Sequence, residues 1–359
     1  MRTTFKAGVC SFLGIATLII IVLVGYIVSC FVDNQILNED MSFSLNYNNI
    51  SAGYSSYWVA NSKVYFSDNV GYLYPYYEIT KEGKEKIAFV GGPSSHGIQT
   101  YGDKVYIYDI SGDKVRIREY LASTRTKTST IIANKLSEGI GIILQCFVIE
   151  RYAYVLTHED SVKTLTKISL DTKSFEEICS DIISVGVMNG SVVYLTEKEN
   201  VYNVFKYDPE TLSSTLIGEF YSDIYTLGLF VDGNYTSNSI ILFDTDYEKN
   251  TSKILLYNLE DNTLKDFTVD FIVSSMIAYE NNAFCVVTTE FHDEDSGKDK
   301  NVLYKMDIDG GTFEKLDDIE GMVNLFVTSD DDVFVSSSSF NGLRHYRGNG
   351  EYTQAIKAK

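Results

Sequence analysis

Two of the four histidines, His158 and His292, sit among carboxylates, and His96 lies in a turn-rich run. His96 ends the run GGPSSH, His158 precedes Glu159 and Asp160, and His292 lies between Glu290 and Asp293. Imidazole beside carboxylate can ligate a transition metal, move a proton or attract a cation. The run DEDSGKD places Asp293, Asp295 and Asp299 at alternating positions around a glycine, a calcium-like pattern of oxygen ligands. No downstream glutamate completes a known calcium loop, and the same residues also fit a solvated hairpin tip. HExxH, GxSxG, a phosphate-binding glycine loop and an EF-hand loop are all absent from the sequence. No cofactor is expected beyond that calcium ion. With 49 acidic residues, a pair of carboxylates suited to glycoside hydrolysis is a matter of distance in space, which the sequence leaves open.

The elements that must position these groups repeat along the chain. The clearest copy is NVLYKMDIDGGTFEKL from Asn301. Strand formers around Tyr304 and Met306 lead into Asp309-Gly310-Gly311, and a second strand begins at Phe313, so the unit reads as a hairpin. Six further copies align Tyr77, Tyr120, Ile168, Tyr207, Tyr257 and Tyr346 with Met306. Upstream of each hairpin runs a second apolar column: Tyr65, Tyr106, Tyr154, Tyr194, Leu242, Phe284 and Phe334. Its period of roughly 40–50 residues is that of propeller blades. A tight turn precedes each column strand, for example Asn189-Gly190 and Asp232-Gly233-Asn234. Another apolar strand precedes the turn, for example 142–149 and 224–231. Four strands per unit, seven units and no helical periodicity predict an all-β, seven-bladed β-propeller with four-stranded antiparallel blades over residues 50–359.

KVYFSD at Lys63 is similar to the KLYWTD element of YWTD propellers, and LYKMDIDG at Leu303 to their second element. The aromatic-aspartate pattern resembles TolB-type propellers. The overall plan resembles membrane-anchored propellers of unknown function from Gram-positive bacteria. The resemblance implies a propeller fold and a surface location, with no activity attached.

In such a ring, loops after each column strand share one face with the links between blades. That rule gathers His96, His158 and His292 with Asp68, Asp109, Glu159, Asp160, Glu197, Asp244, Asp246 and Glu290. One reading makes these acids turn-closers and strand caps. The other makes them an acidic, histidine-bearing mouth that attracts cations. Tyrosine and phenylalanine number 27 and 20, and the columns assign most of them to packing rather than to a sugar platform.

Residues 7–32 carry no charge, long enough for one transmembrane helix, with Arg2 and Lys6 before it and Asp33, Glu39 and Asp40 after it. The positive-inside rule keeps residues 1–6 in the cytoplasm and places the remainder outside, a single-pass cell-membrane protein with an extracellular C-terminal domain. Alternatively, Ile27-Val28-Ser29-Cys30 resembles a lipobox, with Cys30 lipidated. Residues 33–49 form a polar connector. A closing strand for the last blade comes either from Ser42–Tyr47 there, the slightly favoured choice, or from Glu351–Ile356.

The formal charge is −19, and no acid precedes residue 33, so the part beyond residue 30 holds 28 basic and 49 acidic groups. Such a surface excludes nucleic acid as a main partner. Cys146, Cys179 and Cys285 lie in apolar strands and read as buried thiols. These features predict a membrane-tethered module that binds a protein or a cell-wall glycan. The alternative is a surface hydrolase or lyase acting on glycans through carboxylates of the loop-rich face.

Overall fold

A computed structural model describes residues 35–37 and, within 57–358, all but short segments, the longest being 135–141, 223–233 and 292–297. The apolar run 7–32 and Cys30 lie outside the described residues. Among the described residues, no helix is long and apolar enough to cross a membrane.

The chain forms a seven-bladed β-propeller. Each blade is a four-stranded antiparallel sheet of consecutive strands. Blade one is 57–60, 63–67, 73–79 and 84–91; blade two is 96–101, 104–111, 114–121 and 126–134. Blade three is 142–149, 152–159, 162–169 and 175–179; blade four is 182–188, 191–198, 201–208 and 213–221. Blade five is 234–235, 239–246, 251–258 and 263–269; blade six is 272–278, 282–290, 300–307 and 313–320. Blade seven is 323–327, 332–337, 340–347 and 352–354. The first strands are innermost, and those of consecutive blades lie side by side in blades one to three and four to seven.

Side-chain alternation along the second strand builds the core. In blade three, Tyr154 and Leu156 pack forward against blade four, while Ala153 and Val155 pack back against blade two. The same division recurs at the boundaries from blade two to blade seven. Ring closure is visible in one cluster that joins Val64 and Tyr65 of blade one, Ile98 of blade two, and Phe326, Phe334 and Ile356 from the C-terminal end. Tyr65, Tyr106, Tyr154, Tyr257 and Tyr346 are almost wholly buried, as packing columns require. Each such side chain contributes about 1.5–3 kcal/mol of apolar burial.

In blades four, five and six the hairpin after the third strand is closed by a side chain. The Asp307 carboxylate accepts the Asp309 N–H at 3.0 Å, Asp208 accepts from Glu210 at 2.8 Å, and Asn258 accepts from Glu260 at 2.8 Å. The turn then needs a left-handed residue, supplied by Gly311 (φ 63°), Leu212 (φ 54°) and Asn262 (φ 57°). The aspartate of LYKMD is thus a turn-closer.

Three details of the sequence reading change. Tyr194 and Leu242 face backward, unlike Tyr154 and Phe284, and their true equivalents are Val193 and Ile241, which pack forward. A one-residue slip reverses the face because the strand period is two. In blade five the tight turn is Thr236–Ser239 rather than 232–234. Thr236 Oγ1 accepts the N–H groups of Asn238 and Ser239 at 3.3 and 3.0 Å, so Asn234 and Tyr235 form the first strand. The expected strand at 224–231 lies outside the described residues. Finally, the fourth strand of blade seven is Tyr352–Gln354, paired with Phe340–Arg347. The favoured segment 42–47 lies outside the described residues, but Gln35–Leu37 pairs with Ile356–Ala358 in a separate two-stranded sheet.

Candidate functional site

The loop-rich face is set by strand direction: second-to-third turns and blade-to-blade links emerge together. His96 opens blade two as the register partner of Asp109. His158, half-buried, faces Ile142 and Lys163 in register, and Glu159 pairs with Val162. Asp68, Asp160, His292, Asp293 and Asp295 lie outside the described residues. Asp299 takes part through its backbone carbonyl, which accepts the Gly321 N–H at 2.8 Å.

Four acids of this face, Glu197, Asp244, Asp246 and Glu290, are engaged locally. Glu197 accepts the Asn200 N–H at 2.6 Å, and Asp244 accepts that of Thr245 at 2.9 Å. Asp246 closes its turn by accepting from Glu248 and Lys249, with the Lys249 ammonium 2.5 Å away. The bond from the Lys249 side chain, then the backbone bonds, hold its carboxyl below the ordinary range. Glu290 pairs with Lys300 at 3.0 Å. Among the described residues, no three His, Cys, Asp or Glu side chains converge as a metal site would need.

His345, outside the candidate set above, is the better anchored of the two histidines with described side chains. Its Nε2 lies 3.0 Å from Asp332 Oδ1, and its ring stacks on Phe334 at 4.2 Å. Ser329 Oγ donates to Asp332 Oδ2 at 2.8 Å. Hydroxyl, carboxylate and imidazole are all present, but the carboxylate stands in the middle. A nucleophilic triad needs the imidazole there. The trio therefore ties strand to turn.

Two features of the same face are built for contact. Tyr247 and Phe291, on the second-to-third turns of blades five and six, are 65% and 51% exposed, with ring centroids 6.0 Å apart. Large aromatics exposed together are uncommon outside recognition surfaces. Next to Phe291, the Glu290–Lys300 pair borders a cleft of about 400 Å³ between blades six and seven, lined by Thr289, Lys300, Glu320, Ser339, Phe340 and Arg344 among others. Alternation along FNGLRHYR puts Phe340, Arg344 and Tyr346 on one face of the third strand of blade seven. The Arg344 guanidinium is clamped between the rings of Phe340 and Tyr352, 4.0 and 4.5 Å from their centroids. Its Nη1 lies 3.3 Å from Asp317 Oδ2, the oxygen that also accepts the Tyr346 hydroxyl at 2.6 Å. No sequence motif marked this cleft, because it joins residues of two blades.

Of the cysteines, Cys146 and Cys285 are buried and Cys179 is half-buried, all three as free thiols. Burial pushes the Cys146 thiol up to about 12 and raises that of Cys285 further, so neither is primed for nucleophilic work.

No known family profile matches the chain, nor does any curated protein sequence. Among solved structures, the tricorn protease superposes with a TM-score of 0.52 at 11% identity, over 89% of this chain. The chain spans only 36% of that protein's length. The protein lmo1340 from Listeria monocytogenes EGD-e, described as uncharacterized, gives 0.51 at 9% identity, over 89% of this chain and 95% of its own. Hsv2 from Kluyvelomyces marxianus gives 0.50 at 12% identity, over 89% and 98%. At these identities the likeness is one of fold: the class is the β-propeller, which carries many unrelated activities.

Proposed function

We propose that this chain is a membrane-tethered, extracytoplasmic binding propeller that holds its partner on the loop-rich face of blades five to seven. The observation that carries the reading is the exposed pair Tyr247–Phe291 on that face. A closed ring fixes its loops rigidly, and recognition groups mounted on a rigid scaffold lose little freedom on binding. Glu197 and Asp246 serve their own turns, which favours contact chemistry over a pair of carboxylates aimed at one bond. Placement outside the membrane rests on the uncharged run 7–32 with Arg2 and Lys6 before it.

The test presents the full-length chain in nanodiscs to cell-wall fragments, polysaccharides and extracellular proteins. Retention of one class without turnover supports the reading. Hydrolysis or elimination of a polysaccharide would replace it with the enzymatic alternative. Protease added to intact protoplasts should digest residues 40–359, and full protection would overturn the extracellular placement.

A further inference from the structure

We propose that the cleft between blades six and seven binds a carboxylate-bearing saccharide, with the Arg344 guanidinium as its anion receptor. The proposal rests on the binding reading above and names a ligand class for it.

Arg344 is the centre of the cleft's chemistry. Its side chain is 21% exposed, clamped between two aromatic faces and tethered through Nη1 alone. An arginine held in one rotamer has already lost its conformational freedom. The guanidinium carries five N–H donors in a planar fork. The anchor to Asp317 and Tyr346 uses one nitrogen, so the edge formed by Nε and Nη2 is left for a ligand. A carboxylate fits that edge with two parallel hydrogen bonds.

The remaining lining decides what carries the carboxylate. Lys300, already paired with Glu290 at 3.0 Å, adds a second positive charge at the rim. Glu320, the register partner of Lys300, adds an acceptor, Asp318 adds a second carboxylate that is held by Lys315 at 2.7 Å, and Thr289 and Ser339 add hydroxyls. A phosphate, with up to two charges, would be repelled by Glu320 and by a chain of formal charge −19. A singly charged carboxylate suffers less, and hydroxyl groups beside it would donate to Glu320 and exchange bonds with Thr289 and Ser339. Phe340 offers an apolar edge against which the C–H face of a sugar ring can rest. One carboxylate flanked by several hydroxyls is the composition of a uronic acid.

Calorimetry on the full-length chain in nanodiscs tests this with three probes: an otherwise neutral trisaccharide carrying a single galacturonate, its methyl ester, and a tripeptide with a free C-terminal carboxylate. The expected order is the uronate trisaccharide well above the other two. Arg344→Lys keeps the charge and removes the fork, and should weaken the uronate trisaccharide about tenfold or more. Should that variant unfold, Lys300→Gln serves instead. It removes the second positive charge from an exposed side chain and should weaken binding of the acid several-fold, and of its ester little, at an unchanged Tm. Equal binding of acid and ester, stronger binding of the tripeptide, or full binding by a folded Arg344→Lys protein would each overturn the proposal. If none of the probes binds while the chain still retains a neutral polymer or a protein, this site falls and the binding reading stands. If nothing at all is retained, both fall.

Discussion

The ring of Tyr235 in blade five occupies the space that a side chain on Gly186 of blade four would need. The Tyr235 hydroxyl then donates to Ser184 Oγ at 3.0 Å, two residues earlier on the same strand. The contact lies between two innermost strands, where consecutive blades approach most closely. Gly186→Ala should therefore destabilise by overpacking, by about 1–3 kcal/mol. Gly190 makes the informative contrast. A Cβ there meets nothing, but its φ of 73° is left-handed, so Gly190→Ala should cost about 1–2 kcal/mol through the backbone alone. Denaturant midpoints of the two variants check this. A Gly186→Ala protein as stable as the wild type would show that the two blades can part at that contact.

Glu119 makes stability depend on pH. Burial works to raise its pKa, but bonds from Thr128, Lys104 and Tyr106 outweigh that and hold it below the usual range. A folded pKa below the unfolded value means stability that is fully present above the unfolded value, about 4.3. It is lost as pH falls through the folded value. Glu119→Gln should thus be less stable than the wild type at neutral pH, and the gap should shrink at pH 3. Urea titrations at the two pH values measure it, and a gap that stays constant would locate the effect in shape rather than charge.

Tyr247 and Phe291 contribute little to folding if they serve recognition. Tyr247→Ala with Phe291→Ala should leave stability within about 0.5 kcal/mol, as for other surface changes. The same double variant should lose most of its retention on whichever class of partner the wild type binds. Loss of stability with unchanged retention would make the pair a clasp between blades five and six.

Much of this architecture could be read from period and punctuation. Blade number, strand number and the third-strand packing column of blades two to seven follow from the repeated aromatics, because a buried strand position tolerates few side chains; in blade one the column position opposite Val64 is held by Ile79 rather than Tyr77. Frame was harder. Val193 and Tyr194 are both buried and apolar, and so are Ile241 and Leu242, so composition does not say which faces forward. The site was the least legible part. Arg344 sits in a strand of otherwise packing residues, and its meaning comes from Asp317 of another blade and Tyr352 of another strand. Conversely, Glu197 and Asp246 stood out as candidates by type and place, yet both act within their own turns. Side chains that close turns and side chains that meet ligands share one chemistry, and only geometry separates them.

The C-terminal residues should decide whether the ring holds. Tyr352–Gln354 completes blade seven, and the next strand, Ile356–Ala358, pairs with Gln35–Leu37. Ala355, which joins them, and Ile356 are almost wholly buried in the cluster that joins blades one, two and seven. Truncation at residue 350 removes a blade edge, this plug and one face of the Arg344 clamp together. Loss of the Ile356 side chain alone is worth about 2–5 kcal/mol. A ring that loses closure exposes two blade faces and a strand edge as well. Residues 1–350 should therefore fail to unfold cooperatively near the wild-type Tm. Ile356→Ala should lower Tm while keeping one transition, and Ile36→Pro, which breaks only the two-stranded sheet, should do less harm than either. The order truncation, Ile356→Ala, Ile36→Pro in falling severity is the expected result by calorimetry. A truncated chain that melts like the wild type would move closure to the N-terminal segment.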